Sequence, residues 1–408
     1  MRNGFMPVRW CGLLACLACA AAAQTVVVGP GGGPPSLIGA DLAVFELQEP
    51  RNDLPCEVEP QKPVLGFDLR FHAGYDITIP LRELSGGENY LSILFRVIHE
   101  HKKDQPVYFS QKFRVPLIDE NAGGDAYLHG SFDLGVGKYR VEWLMRDRTE
   151  RVCSAFWDTE AELPEKDKPL ALDLQPGQIA TTVQEQFLEE TPPPRTPGDS
   201  PLSVKILVNF APQNPTSAIL QPSDTNALIA LLRTIQRDQR ISRFSLVAFN
   251  MQEQKVLYRQ HAMDRIDFPA IGDSLKGLQL GRVHFARLSQ KNSETEFLAG
   301  LIKSELSADE TPPDAVVFAG PKVMLNSNVP VETLRGVTEL GFPVFYMNYN
   351  LNPRINPWRD AISNAVRFFK GQEFTITRPR DLWFAVSDMV GMIVKSKAGK
   401  RASPVGVQ

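Results

Sequence analysis

"VKILVNFAPQNPTS", Val204 to Ser217, decides how the second half of the chain is read. An apolar run rich in β-branched residues stops at Asn209, and a turn-rich loop bearing hydroxyls follows, ahead of a helix expected from about Asp224. Strand ends of this kind are where many α/β domains hold a metal or a phosphate. Behind Asp224, read as an N-cap, "DTNALIALLRTIQRD" places Leu228, Leu231, Leu232 and Ile235 at helical spacing. Strand and helix then alternate. "RFSLVAFN" and "QKVLYRQ" read as a hairpin around Met251 to Glu253, "DAVVFAG" as a buried strand, and "PVETLRGVTELG" as a helix with Pro330 near its start and Gly341 past its end. "FPVFYMNYN" is the next strand, "WRDAISNAVRFFKG" the next helix and "EFTITR" a short strand. "RDLWFAVSDMVGMIVK" closes the series, with Leu382, Ala385, Val386, Met389 and Ile393 on one face. The alternation predicts a doubly wound, mostly parallel α/β sheet covered by helices on both faces, over residues 202–397.

The first half has a different period. "YDITIPLREL" alternates Ile77, Ile79 and Leu81, and "YLSILFRVIHEH", "VYFSQKFRVPL", "AYLHGSFDL" and "KYRVEWLMRDR" follow, with Gly86, Gly87, Gly123, Gly124, Gly135 and Gly137 in the turns. That spacing predicts an all-β, immunoglobulin-like sandwich over residues 41–163. Residues 164–201 read as a linker: "IATTVQEQFLEE" suits a short helix or an extended arm, and "TPPPRTPGDSP" a stiff proline-rich spacer.

With 408 residues, 43% of them hydrophobic, the chain is long enough for two ordinary cores, and a net charge of −3 with mixed signs argues against nucleic acid as a partner. Arg2 and Arg9 precede "WCGLLACLACAAAA", and Ala21 and Ala23 stand where a signal peptidase cuts ahead of Gln24. Residues 1–23 are therefore read as a signal peptide, residues 24–40 as a flexible Gly/Pro-rich segment and residues 398–408 as a flexible tail. Lipidation at Cys16 or Cys19 is the second choice, and no segment is long enough to span a membrane. The expected location is the periplasm or outside the cell. Cys56 and Cys153, the two cysteines left after cleavage, read as one disulfide in an oxidising compartment, with two buried thiols as the alternative.

The order of elements over 202–397 resembles a von Willebrand factor type A domain. "RFSLVAFNMQEQKVLYRQ" is similar to that family's second and third strands, "DAVVFAGPK" to its fourth, "LRGVTELGFPVFYMNYN" to the next helix and strand, and "GQEFTITRPRDLWFAVSDMVGMI" to its last strand and helix. The whole chain is also similar in arrangement to exported von Willebrand-related bacterial proteins. The resemblance implies a divalent cation held by Asp-x-Ser-x-Ser after the first strand and by a later Thr and Asp. Here those positions carry Asn209, Ala211, Gln213 and, for the later aspartate, Ala319, so the charges are missing. Thr216, Ser217, Ser293 and Thr295 could offer only hydroxyls, which do not offset the dehydration of magnesium. No cofactor is expected, and "NFAPQNPTS" has prolines where a phosphate loop presents N–H groups.

His99 and His101 share one strand face and could bind a metal with His72 or His129, although a solvated strand end beside Lys102 and Lys103 explains them as well. The run Arg146 to Arg151 could recognise an acidic partner or form a polar hairpin turn, and Trp143, Trp157, Trp358 and Trp383 read as packing residues. Neither a Gly-x-Ser-x-Gly elbow nor a His-Glu-x-x-His helix occurs. The expected function is a non-enzymatic interaction module that binds a protein of the cell envelope through loops 209–217, 292–295 and 319–328, with Phe210, Pro212 and Met324 as apolar contacts. The alternatives are carbohydrate or cell-wall binding through Tyr108, Tyr127 and Trp157, and an unrecognised hydrolase.

Overall fold

The computed structural model describes residues 25–27, 39–182, 186–194 and 201–402, apart from 215, 216, 218, 279, 281–291, 308–310, 326, 338, 339, 352 and 355. The expected signal peptide, most of the segment 24–40, residues 403–408 of the expected tail and Thr216 lie outside the described residues. The chain divides into two units: one takes residues up to Val64, Phe71–Leu163 and Leu174–Thr182, the other Leu65–Arg70, Pro164–Asp173 and everything from Val183 on.

The first unit is built from two sheets. β1 (Thr25–Val27), β4 (Asn89–His99), β5 (Val107–Val115), β7 (Gly137–Arg146) and β8 (Val152–Ala161) form an antiparallel sheet in the order β1-β5-β4-β7-β8. β2 (Glu57–Leu65), β3 (Phe71–Pro80), β6 (Asp125–Leu134) and β9 (Ile179–Thr181) form the second, in the order β2-β3-β6-β9. Alternation sets the core. Phe95 and Phe109 from one sheet stack at 4.8 Å, and Tyr75 from the other meets Phe95 at 5.4 Å and Trp143 at 5.6 Å in T-shaped pairs. Rings of this size, buried in full, stabilise by about 1.5–3 kcal/mol each, so this aromatic seam is a substantial part of the core of a sandwich-like body. Cys56 and Cys153 form a disulfide with a Cα–Cα distance of 6.2 Å, joining the residue before β2 in one sheet to β8 in the other.

Two expectations for this half change. Residues 39–47, read partly as flexible and partly as strand, form α1 (Gly39–Leu47), because Asp41, Val44 and Phe45 fall on one helical face and are buried. Val44 and Phe45 pack on Leu144 and Val152, outward-facing residues of β7 and β8, while Asp41 pairs with Arg146. The stretch 164–201 is more than a linker. It supplies β9 to the second sheet, and Gln186–Glu190 belongs to the second unit as an extended arm: Arg233 donates to the Gln186 carbonyl at 3.0 Å and Phe187 fills the space over Gly272, where a Cβ would stand 2.7 Å from its ring.

In the second unit β10 (Leu202–Asn209), β11 (Ile241–Asn250), β12 (Lys255–Met263), β13 (Ala315–Pro321), β14 (Val344–Tyr349) and β15 (Gln372–Ile376) form a mixed sheet in the order β12-β11-β10-β13-β14-β15. All neighbours run parallel except β12, the antiparallel edge strand of the hairpin at 251–254. Both faces are covered, which is why the central strands read as continuous apolar runs. α2 (Pro222–Gln236), α3 (Phe268–Leu275) and α7 (Pro379–Ala402) bury Leu228, Leu232, Phe268, Met389 and Ile393 against Val204, Ile206 and Val208. α4 (Ser293–Leu306), α5 (Val331–Arg335) and α6 (Ala361–Phe368) bury Leu298, Ile302, Leu334 and Ile362 against Leu207, Val316, Phe318 and Tyr346.

Three local corrections follow from caps and length. α2 starts at Pro222 with Gln221 as N-cap, and Asp224 sits at the third helical position with its carboxylate accepting from the Gln221 N–H at 3.1 Å. The helix expected over "PVETLRGVTELG" is regular only for the five residues of α5. α7 runs to Ala402, past the expected end at 397.

Candidate functional site at the strand ends of the mixed sheet

The strand order reverses between β10 and β13, so their C-terminal ends border the crevice where sheets of this kind bind ligands. Four buried asparagines stand along this edge: Asn209 closes β10, Asn250 closes β11, Asn348 lies in β14 and Asn350 follows it. They act mainly as splints for the loops. Asn209 Oδ1 accepts from the Met251 N–H at 3.1 Å, Asn250 Nδ2 donates to the Phe210 carbonyl at 2.6 Å, and Asn250 Oδ1 accepts from the Glu253 N–H at 2.7 Å. Gly320 closes over Asn209 from β13: its φ is +146°, and a Cβ there would lie 2.8 Å from Asn209 Cβ.

This donor set does not fit a divalent cation. Asn209 has its side-chain oxygen on a backbone N–H, Ala211 and Ala319 offer no ligand, and Gln213 Oε1 accepts from the Leu351 N–H at 3.4 Å. Asp224, in the first turn of α2, accepts from the Gln213 N–H at 3.3 Å and the Gln221 N–H at 3.1 Å. Asn348 Oδ1 is buried without a hydrogen-bond partner, but a single neutral oxygen is far from the carboxylate-bearing oxygen shell that magnesium requires.

The structure gathers the three expected loops at one edge. Thr295 Oγ1, at the start of α4, lies 3.1 Å from Ser327 Oγ, and Gln254 Nε2 in the β11–β12 turn donates to Ser293 Oγ at 3.0 Å. Their contact residues need correction. Phe210 is fully buried in the core under α2, and Pro212 and Thr295 are buried too, because the chain turns inward immediately after β10 and Thr295 faces back to the 327 loop. Ser217 is partly exposed, with its hydroxyl donating to the Ile219 carbonyl at 2.7 Å. Met324 is exposed as expected, and Ile219, Val331, Leu351 and Trp358 join it. Trp358, read from sequence as a packing residue, is 67% exposed. Its loop is pinned from below: Lys322 Nζ donates to the carbonyls of Asn356 at 2.7 Å and Trp358 at 2.6 Å, and Asn350 Nδ2 to that of Asn356 at 3.3 Å. Asp360 ends the loop, buried, accepting from the Val323 N–H at 2.6 Å, the Tyr346 hydroxyl at 2.9 Å and the Ser363 N–H at 2.7 Å. Burial holds its carboxyl above the ordinary value despite these bonds.

The other candidates do not assemble. His72 Nδ1 lies 2.8 Å from Asp133 Oδ1 and His129 Nδ1 lies 3.0 Å from Asp76 Oδ1, on the four-stranded sheet, whereas His99 and His101 form an edge-on ring pair at the end of β4. Burial, followed by the charges of His101 and Lys102, lowers the pKa of His99. The run 146–151 is engaged within its own unit: Arg146 with Asp41 and Glu150, Arg151 with Asp147 and Glu83. Tyr108 is buried and Trp157 is half-buried in a T-shaped pair with Tyr75, so they form no exposed aromatic row with Tyr127. A groove of about 700 Å³ does lie on the outer face of β4, β7 and β8, yet its charged groups pair across strands: Arg96 with Glu142, Arg140 with Asp158, Lys138 with Glu160.

No protein-family model matches the chain, and no curated protein matches it. Among solved structures, the PilB minor pilin from Streptococcus sanguinis is similar at 7% identity and TM-score 0.28 over 79% of this chain and 90% of that one. A glycosyl hydrolase family 2 member from Bacteroides cellulosilyticus is similar at 9% identity and TM-score 0.19, over 78% of this chain and 37% of that one. A Bacteroides uniformis beta-glucuronidase is similar at 12% identity and TM-score 0.19, over 77% and 38%. Likenesses this distant carry no argument about function. No described helix is long and apolar enough to cross a membrane. The Cys56–Cys153 disulfide fits an oxidising compartment outside the cytoplasm.

Proposed function

We propose that the protein is an exported, non-enzymatic interaction module: an immunoglobulin-like sandwich joined to a von Willebrand A-like domain without its cation site. It binds a protein of the cell envelope or its surroundings through the loops at the strand ends of the mixed sheet. The observation that carries this reading is the exposure of Ile219, Met324, Leu351 and Trp358, each on a loop that follows the C-terminal end of one of the parallel strands β10, β13 and β14. Large apolar side chains displayed together on splinted loops mark a contact surface. The strand order β12-β11-β10-β13-β14-β15, with its antiparallel edge, supports the von Willebrand A-like part. The amide-rich crevice supports its independence of metal.

The test has two arms. Thermal melts of the full chain in magnesium, manganese or calcium should coincide with melts in chelator; a raised melting temperature with saturable binding would refute metal independence. Partners cross-linked from envelope extracts should be lost from a Met324→Asp/Leu351→Asp variant that melts like the parent. An unchanged set of partners would refute the assignment of the surface.

A further inference from the structure

We infer that the partner is recognised through an acidic segment carrying an aromatic or proline residue, and that Pro353, Arg354 and the stretch Asn356–Arg359 ahead of Asp360 receive it. This rests on the proposed contact edge and names the chemistry it selects. The loop displays Trp358 between Pro357 and Arg359, and Pro353 beside Arg354, all exposed. Among the described residues neither arginine has an ion pair, although most arginines of this chain do. The acid of the same loop, Asp360, is turned inward onto Val323, Tyr346 and Ser363 and does not offset them. A chain with net charge −3 therefore presents, on one loop, two exposed arginines without an ion pair among the described residues, one of them next in sequence to an exposed indole.

Each element has a use. A guanidinium binds carboxylates in a bidentate fork, and an exposed tryptophan offers a flat face for stacking on an aromatic or proline ring. Trp and Arg are also the residue types that dominate binding energy at protein interfaces. Because Lys322 and Asn350 already hold the carbonyls of Asn356 and Trp358, little ordering of that stretch remains to be done on binding. Two cations on one loop are too few to follow a phosphate backbone, which favours a protein segment over nucleic acid.

The experiment selects a displayed random peptide library against the full chain, against Trp358→Ala and against Arg354→Glu/Arg359→Glu, after thermal melts confirm that the variants fold. The expected result is enrichment of Asp and Glu around an aromatic or proline residue. Binding of the enriched peptides, read by fluorescence anisotropy, should weaken roughly tenfold or more in Trp358→Ala. The double arginine variant should instead enrich Lys and Arg. Neutral or basic peptides from the parent, identical peptides from all three proteins, or no enrichment would each overturn the inference. So would tighter, variant-sensitive binding of duplex DNA or phosphatidylglycerol vesicles, which would point to a polyanion. If the Met324→Asp/Leu351→Asp variant loses its partners while the Trp358 and arginine variants keep theirs, the contact edge stands and this inference alone fails. If all variants keep their partners, both fail.

Discussion

Lys205 shows how one residue can break the pattern of its strand and still be held. It sits in the middle of β10 among Val204, Ile206 and Leu207, yet it is buried, with Nζ 3.0 Å from Glu305 Oε2 and 2.8 Å from the Glu305 carbonyl on α4. Arg259 Nη2 reaches Glu305 Oε1 at 3.1 Å. Removing one partner of such a pair strands a charge, so Glu305→Ala should cost about 3–5 kcal/mol, whereas Lys205→Met/Glu305→Leu should unfold at or above the parent's urea midpoint. A Glu305→Ala midpoint equal to the parent's would show that water and the backbone carbonyl at 305 suffice to hold the Lys205 ammonium. At this scale the sequence is informative about absences: neutral side chains at 209, 211, 213 and 319 announce the lack of carboxylates. It is silent on orientation. Phe210 turns back into the core one residue past its strand and Trp358 turns out, and nothing in "NFAP" or "NPWR" distinguishes the two.

The turn between β7 and β8 is an element with its own electrostatics. Asp147 accepts from the N–H groups of Thr149 at 2.8 Å and Arg151 at 3.0 Å, from the Thr149 hydroxyl at 2.8 Å and from Arg151 Nε at 2.9 Å. Burial acts to raise its carboxyl, but these bonds and the charge of Arg151 outweigh it and hold the carboxyl below its ordinary 3.8. A folded value below the unfolded one means that the stabilisation is present above pH 3.8 and is lost as the pH falls from there through the folded value. Asp147→Asn should therefore lower the urea midpoint most at neutral pH, and its gap to the parent should narrow in acid. A gap independent of pH would refute the linkage. Elements with strong signals are legible in the sequence: the turn at 146–151, the hairpin at 251–254 and the one-faced helix ending the chain all lie where periodicity and polar breaks place them. α4 is not anticipated although Leu298, Leu301, Ile302 and Glu305 recur on one face, because its start, Asn292 to Thr295, is read as a strand-end contact loop. α1 and β2 are hidden by glycine and proline, residues that signal turns unless a neighbouring sheet holds the chain.

For the molecule as a whole, the division into a sandwich-like body and a mixed α/β sheet follows from the change of period near Leu202, since alternation with one buried face and continuous apolar runs suit different layers. What local pattern does not carry is long-range: β9 and the arm at 186–190 come from a stretch whose composition resembles a linker. The disulfide is a covalent long-range tie within the first unit. Cys56 and Cys153 are 97 residues apart, and by chain entropy closing such a loop stabilises by about 4–5 kcal/mol, an upper figure because the unfolded chain retains some order. The bond also joins the two sheets at β2 and β8, so its loss should act on that unit as a body. Reduction, or Cys56→Ser/Cys153→Ser, should lower the free energy of unfolding and reduce amide protection from β3 through β8, with the Phe95–Phe109–Tyr75 seam losing it together. Protection lost only around residues 52–57 would instead mean that the aromatic core alone holds the sheets together and that the bridge fastens only the local chain.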